Sequence, residues 1–224
     1  MRHSPIRAVV LTNGDVDHVA GLLSLRERQP FRLIALPPVL AALQESPIFS
    51  VLADGVVERV EAKPGEPIAV GGLTIELFPV PGKAPLYREG ADPVVGAESG
   101  ETTGAMVRGP KATLAYVPGC AGLTSGLLEK LAEADALLFD GTLYTDDEMI
   151  AAGVGQKTGR RMGHVPISGP GGSLERLKDL PARKKVYIHV NNTNPILIEG
   201  SAERGAVEAA GFTVAFDGLE IFLA

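Results

Sequence analysis

Short apolar runs rich in Val, Ile and Leu recur along the chain and alternate with longer segments in which apolar residues return at helical spacing. The first kind suits strands buried within a sheet and the second suits helices laid on it, so the pattern predicts a layered α/β architecture. Strands are predicted over 7–12, 32–36, 56–61, 73–78, 103–108, 112–117, 136–140, 185–190, 213–216 and 219–223. Helices are predicted over 18–28, 38–45, 123–134, 172–178 and 200–210. The last of these starts at Ser201, carries Glu203 and Arg204 in its first turn and stops at Gly211. Residues 103–117 read as a hairpin whose turn is Arg108-Gly109-Pro110-Lys111.

Two connections lack periodic pattern, residues 79–102 and 141–172, both rich in Gly and Pro. Loops of that length within a compact domain usually serve as lids or binding loops. There is no internal repeat and no low-complexity linker, so a single domain over 1–224 is expected.

With 224 residues, 45% of them hydrophobic, the chain can bury a substantial core. Its formal charge of -6 arises from scattered acids, and no basic cluster exceeds Arg183-Lys184-Lys185, which argues against a nucleic-acid partner. No apolar stretch approaches the roughly 20 residues of a spanning helix, and the opening MRHSPIRAVV has no signal-peptide core. A cytoplasmic location without a membrane span is expected. The single cysteine, Cys120, allows no internal disulfide and agrees with a reducing compartment.

Three of the four histidines, His18, His164 and His189, fall where a predicted strand runs into a loop or within a long loop, whereas His3 near the terminus needs no functional account. A lone histidine is most often a hydrogen-bonded structural residue. Together with Asp15, Asp17 and the run Asn191-Asn192-Thr193-Asn194, these three point to a site. Asp17 also suits a helix N-cap. That role leaves Asn13 and Asp15 unexplained, at the carboxyl end of a strand, where α/β folds place ligands. Charges buried there cost several kcal/mol each unless paired or bound to a metal.

The pattern N-x-D-x-D-H at residues 13–18 resembles the H-x-H-x-D-H motif of the metallo-β-lactamase superfamily with both leading histidines replaced. The segments LTNGDVDHVAGLLSLRE, AYVPGC, FDGTLYTDDEM, MGHVPIS and IHVNNTNPIL are similar to the coenzyme PQQ synthesis protein B family within that superfamily, and they are spread over nearly the whole chain. The resemblance implies an αββα sandwich, incomplete at the N-terminus. About 80 residues carrying the family's first strands and a cysteine-rich zinc motif are expected to be missing, which would expose an unpaired sheet edge.

The resemblance also implies a ligand set. Asn13 and Asp15 occupy the leading positions and the Pro79–Pro85 stretch offers no histidine, so the first metal site of the superfamily is expected to be lost. The second is retained as Asp17, His18 and His189. The bridging aspartate maps near Gly119-Cys120, where Cys120 is either a soft ligand or a buried structural thiol. Two histidines and one carboxylate with open positions are the ligands of non-haem Fe(II) oxygenases, so Fe(II) is favoured, although zinc accepts the same atoms.

The function implied is pyrroloquinoline quinone (PQQ) biosynthesis, by iron-dependent, O₂-using hydroxylation of the tyrosine ring of a Glu-Tyr-derived precursor. Expected partners are that small peptide-derived or quinone precursor, O₂, other proteins of the same biosynthesis and a second copy of the chain as a homodimer. Two alternatives stand beside it: a carrier of PQQ or its precursor, and a binuclear zinc hydrolase of a phosphodiester or lactone. His164 resembles a loop histidine that superfamily phosphodiesterases use as a general acid, and would move protons. Asp15 would add an oxygen ligand or orient an imidazole. Arg160 and Arg161 could clamp a substrate carboxylate, and Asn191, Asn192 and Asn194 could offer amides to a polar product. Asp140 would support the ligands or cap the next segment, and the Gly-rich turn at 169–172 could present N–H groups to an anion.

Overall fold

Alternation along one strand sets the layers. In β2 (Phe31–Ala35), Phe31, Leu33 and Ala35 pack with Leu11, Val19, Val39 and Leu43, while Ile34 points the other way to Leu77 and Ala105. Both faces of the strand are therefore covered, as its almost continuous apolar sequence requires. The computed structural model describes residues 4–223, so His3 lies outside the described residues.

Two sheets form. The smaller is parallel, in the order β1-β2-β3, with β1 at Ala8–Val10 and β3 at Val57–Glu61. The larger has seven strands: β4 (Pro67–Val70), β5 (Leu73–Pro79), β6 (Thr103–Arg108), β7 (Thr113–Val117), β8 (Ala136–Asp140), β9 (Lys184–Ile188) and β10 (Phe212–Val214). Their order is β10-β9-β8-β7-β6-β5-β4, antiparallel from β4 to β7 and parallel from β7 to β10. Ile34, Leu36 and Ala62 meet Leu77 and Ala105 between the sheets.

Helices cover the outer faces. Val19 of α1 (Val16–Val19) and Val39 and Leu43 of α2 (Pro37–Gln44) seal the small sheet. On the large sheet, Leu127 and Leu131 of α3 (Ser125–Leu131) pack with Met106, Val117, Leu137 and Phe139. Two short helices, α4 (Glu148–Ala151) and α5 (Gly159–Met162), lie in the second long connection. Leu177 of α6 (Ser173–Leu177) and Val207 of α7 (Ala202–Ala209) complete the large sheet's outer layer. Helix, sheet, sheet and helix follow in that order, the αββα sandwich expected. The 103–117 hairpin is present, with Gly109 N–H donating to the Ala112 carbonyl at 2.9 Å.

Three expectations are corrected. The helix expected over 18–28 is a single α-turn followed by a 3₁₀ segment at Ala20–Leu25, and Gly21 within it weakens helix propagation. No strand forms over 219–223: the stretch follows the Gly218 turn, pairs with no strand among the described residues, and leaves Phe222 76% exposed. Strand β4 was not foreseen. Pro67 opens it on the sheet edge, where a missing N–H costs no ladder bond, and Gly71-Gly72, both at positive φ, turn it tightly into β5.

This topology gathers the carboxyl ends of β1, β8 and β9. Thr103 stitches the sheets together there, its N–H at 2.7 Å and its hydroxyl at 2.8 Å from the Thr12 carbonyl.

Candidate metal centre

The chain leaving β1 is bent by a local side-chain bond. Asn13, buried at 4% exposure, accepts the Asp15 N–H on Oδ1 at 3.0 Å, an Asx turn that stops the strand. Asp15 then occupies the N-cap of α1, but its side chain reaches outward to accept the Leu86 N–H at 3.2 Å. The single turn of α1 delivers Asp17 and His18, with Asp17 Oδ2 at 3.7 Å from His18 Nε2. His189 arrives from the end of β9 with φ of +56°, one of two non-glycine residues among those described in the left-handed region. That backbone is uncommon for a residue with a Cβ and clusters at functional sites. It sets His189 Nε2 at 3.1 Å from Asp17 Oδ2.

Behind His189 lies a hydrogen-bond network whose donors can be counted. Asp140, fully buried at the end of β8, accepts on Oδ2 from Cys120 N–H at 2.9 Å and His164 Nδ1 at 2.7 Å. On Oδ1 it accepts from the Thr142 N–H at 3.1 Å and the Thr142 hydroxyl at 2.6 Å. A carboxylate can only accept, so His164 carries its proton on Nδ1 and Thr142 spends its one proton on Asp140. The Thr142 oxygen, 2.8 Å from His189 Nδ1, must then accept from it. His189 is thereby held with Nδ1–H inward and the Nε2 lone pair outward, toward Asp17.

Electrostatics follow from these contacts. Burial opposes ionisation of Asp140, but the charges and hydrogen bonds of His164, Thr142 and His189 outweigh it and its carboxyl titrates below the usual range. Burial likewise disfavours charge on His164, yet the Asp140 carboxylate raises its pKa overall. His18 is pushed down, chiefly by burial. For Asp17, burial is again opposed by the His189 contact and the neighbouring imidazoles, and the carboxyl is lowered.

The arrangement fits a metal ion. With His189 neutral, a bare Nε2 lone pair faces a carboxylate oxygen at 3.1 Å, a pair that repels unless a proton or a metal cation lies between them. Ligands at about 2.1 Å around one tetrahedral ion stand about 3.4 Å apart; the spacings of 3.1 and 3.7 Å from Asp17 Oδ2 bracket that value. Asp17, His18 and His189 would hold the ion. Asp140, His164 and His189 form a second group with donor atoms in mutual reach, but His164 Nδ1 is already bonded to Asp140 and His189 Nδ1 to Thr142.

The ligand set opens on a cavity of about 440 Å³ lined by Asn13, Asp15, Asp17, His18, His164 and His189 together with Lys83, Leu86, Glu89, Met149, Lys157 and Met162. Five of the foreseen residues thus meet: Asp15, Asp17, His18, His164 and His189. Others do not line it. Arg160 bonds the Pro170 carbonyl on the outer face, and Arg161 is committed to Glu89. Asn194 is buried, donating to the Gly141 carbonyl and capping the 3₁₀ turn Pro195–Leu197; Asn191 bonds Thr193, and Asn192 is exposed. The Gly-rich turn at 169–172 borders a separate depression with Arg160. Thr142, Lys83, Glu89 and Lys157 were missed, because an isolated threonine or lysine in a patternless loop carries no sequence signal.

Cys120 is a core residue. It is fully buried, its Sγ donates to the Gly122 carbonyl at 2.9 Å, and burial pushes its thiol up to about 12. At pH 8 iodoacetamide is expected to leave it unmodified in the native protein and to label it after unfolding, as intact mass would show. Rapid labelling of native protein would contradict a structural thiol.

The family described as beta-lactamase superfamily domain matches residues 1–190. The fold is that of this class. Coenzyme PQQ synthesis protein B of Methylobacterium nodulans is 54% identical over 224 residues, covering 100% of this chain and 75% of the relative. The crystal structure of zinc-bound PqqB from Methylobacterium extorquens superposes with a TM-score of 0.96 at 54% identity, over 100% of this chain and 75% of that one. The chain belongs to the coenzyme PQQ synthesis protein B family. CmlA, a diiron beta-hydroxylase from Streptomyces venezuelae, shares the fold alone, with a TM-score of 0.54 at 16% identity, over 83% of this chain and 36% of that one.

Proposed function

We propose that this chain acts in PQQ biosynthesis as a metal-dependent hydroxylase, placing one oxygen atom of O₂ on the tyrosine ring of a Glu-Tyr-derived precursor while an external two-electron reductant takes the other to water. The observation that carries the reading is the set Asp17, His18 and His189, with two imidazoles and one carboxylate opening on a cavity of small-molecule size. The names of its relatives support the pathway. A bound iron would supply the O₂ chemistry; the chain's own residues do the rest. Thr142 fixes the His189 tautomer, and Asp140 orients His164 so that its Nε2 can exchange a proton with a group in the cavity. Leu86, Met149 and Met162 form apolar wall suited to an aromatic ring.

The zinc in the relative's crystal structure favours a second reading, a zinc hydrolase. Anaerobically iron-loaded protein supplied with an external two-electron reductant should consume O₂ when given the Glu-Tyr precursor and yield a ring-hydroxylated product by mass spectrometry. O₂ uptake that is independent of substrate, or hydrolysis by zinc-loaded protein alone, would overturn the hydroxylase reading.

A further inference from the structure

At the cavity wall, three cations share one carboxylate. Glu89, whose side chain is 7% exposed, lies 2.9 Å from Lys83 Nζ, 3.1 Å from Arg161 Nη2 and 3.7 Å from Lys157 Nζ. Burial opposes ionisation of Glu89, but these cations hold it below the usual carboxylate range. One anion cannot neutralise three cations. Lys83 is itself only 9% exposed, and a buried, partly compensated ammonium is costly unless a further anion joins it. The pairing inside the cluster is also incomplete: Arg161 Nη1, which lies outside the cavity lining, and the acceptor Glu89 Oε1 are buried without a hydrogen-bond partner among the described residues.

Lys83 is also placed beside the reactive end of the cavity. Its stem packs on Gly163, where an added Cβ would stand 3.1 Å from Lys83 Cγ and where φ is +91°, and the next residue is His164. Lys83, Glu89 and Lys157 line the same cavity as the metal set. Asp15 and Asp17 belong to the α1 end of that cavity, where Asp15 is engaged by the Leu86 N–H and Asp17 by His189.

We propose that Lys83 and Lys157 are the specificity-determining residues of this cavity, binding a carboxylate of the substrate, with Glu89 as a counterion that holds them in place and competes with it. The proposal rests on the reading of the cavity as a substrate site and deepens it. It replaces the arginine clamp expected from sequence: Arg161 acts through Glu89, and Arg160 does not line the cavity.

The test compares binding of PQQ, a polycarboxylate, with that of its uncharged methyl ester, followed by absorbance in metal-loaded protein at low salt. Wild type should prefer the acid. Lys83→Met and Lys157→Met should each weaken acid binding about 10-fold or more, with ester affinity and metal content unchanged. Lys83→Arg should restore part of the loss, and Glu89→Gln should tighten acid binding by removing the competing anion. Wild type that binds neither probe or does not discriminate, equal weakening of both probes, or a looser Glu89→Gln would overturn the proposal. O₂ uptake with the Glu-Tyr precursor is scored separately: uptake without acid preference defeats the proposal and spares the hydroxylase, and acid preference without uptake does the reverse.

Discussion

His189→Gly is expected to strip the chain of its metal and abolish metal-dependent turnover without unfolding it. Residues that merely support a ligand cost about 10–100-fold in metal affinity when removed, so loss of a ligand from a three-residue set should exceed that. His189 belongs to both groups of donors that lie close enough to share an ion, so its loss leaves neither intact. Glycine is the informative replacement because His189 sits at φ of +56°. Alanine would remove the imidazole and keep the left-handed backbone cost, of order 1 kcal/mol, whereas glycine relieves it. Metal content by mass spectrometry should therefore fall in both variants, while the metal-free glycine variant melts no lower than the alanine one. Retention of one ion per chain in the glycine variant would refute both donor groups.

How much of this was visible in the sequence depended on whether a local pattern carried it. Alternation and apolar runs predicted nine of the ten strands near their observed places and the outer helices α2, α3, α6 and α7, because each such run must be covered on the faces it buries. Two failures were at the sheet's margins: β4, whose Pro67 and exposed positions hide it, and 219–223, whose pattern finds no neighbour to pair with. A third was a matter of extent, since β1 and β10 span three residues each. In the site, Asp17, His18, His164 and His189 were legible because each belongs to a motif at a strand end or long loop. Thr142 was not. Its importance is a matter of donor counting among three elements distant in sequence, which meet only in the folded chain. The loop residues Lys83, Glu89 and Lys157 fell within the two connections singled out as binding loops, but no spacing rule could pick them from their neighbours.

Thr142→Val is the sharpest test of that counting. Valine keeps the shape of threonine and removes the hydroxyl, so packing is nearly conserved while Asp140 loses its 2.6 Å donor and His189 Nδ1 loses its acceptor. An under-satisfied buried carboxylate costs about 1–3 kcal/mol, seen as a lower denaturant midpoint of the metal-free protein. The freed imidazole can adopt either tautomer or rotate, so metal affinity should fall about 10–100-fold although no ligand has been touched. Serine at the same position should restore both quantities, which valine-induced misfolding alone would not explain. The acid limb supplies an independent reading. Asp140 titrates below its ordinary value of 3.8, partly through the Thr142 bond, so it contributes stability that is present above that value and lost as pH falls through the lower folded pKa. Removing the hydroxyl shrinks that depression, and the variant should lose its remaining Asp140 contribution at a higher pH than wild type. Unchanged metal affinity together with an unchanged acid transition would mean that the hydroxyl neither fixes the His189 tautomer nor holds Asp140 ionised.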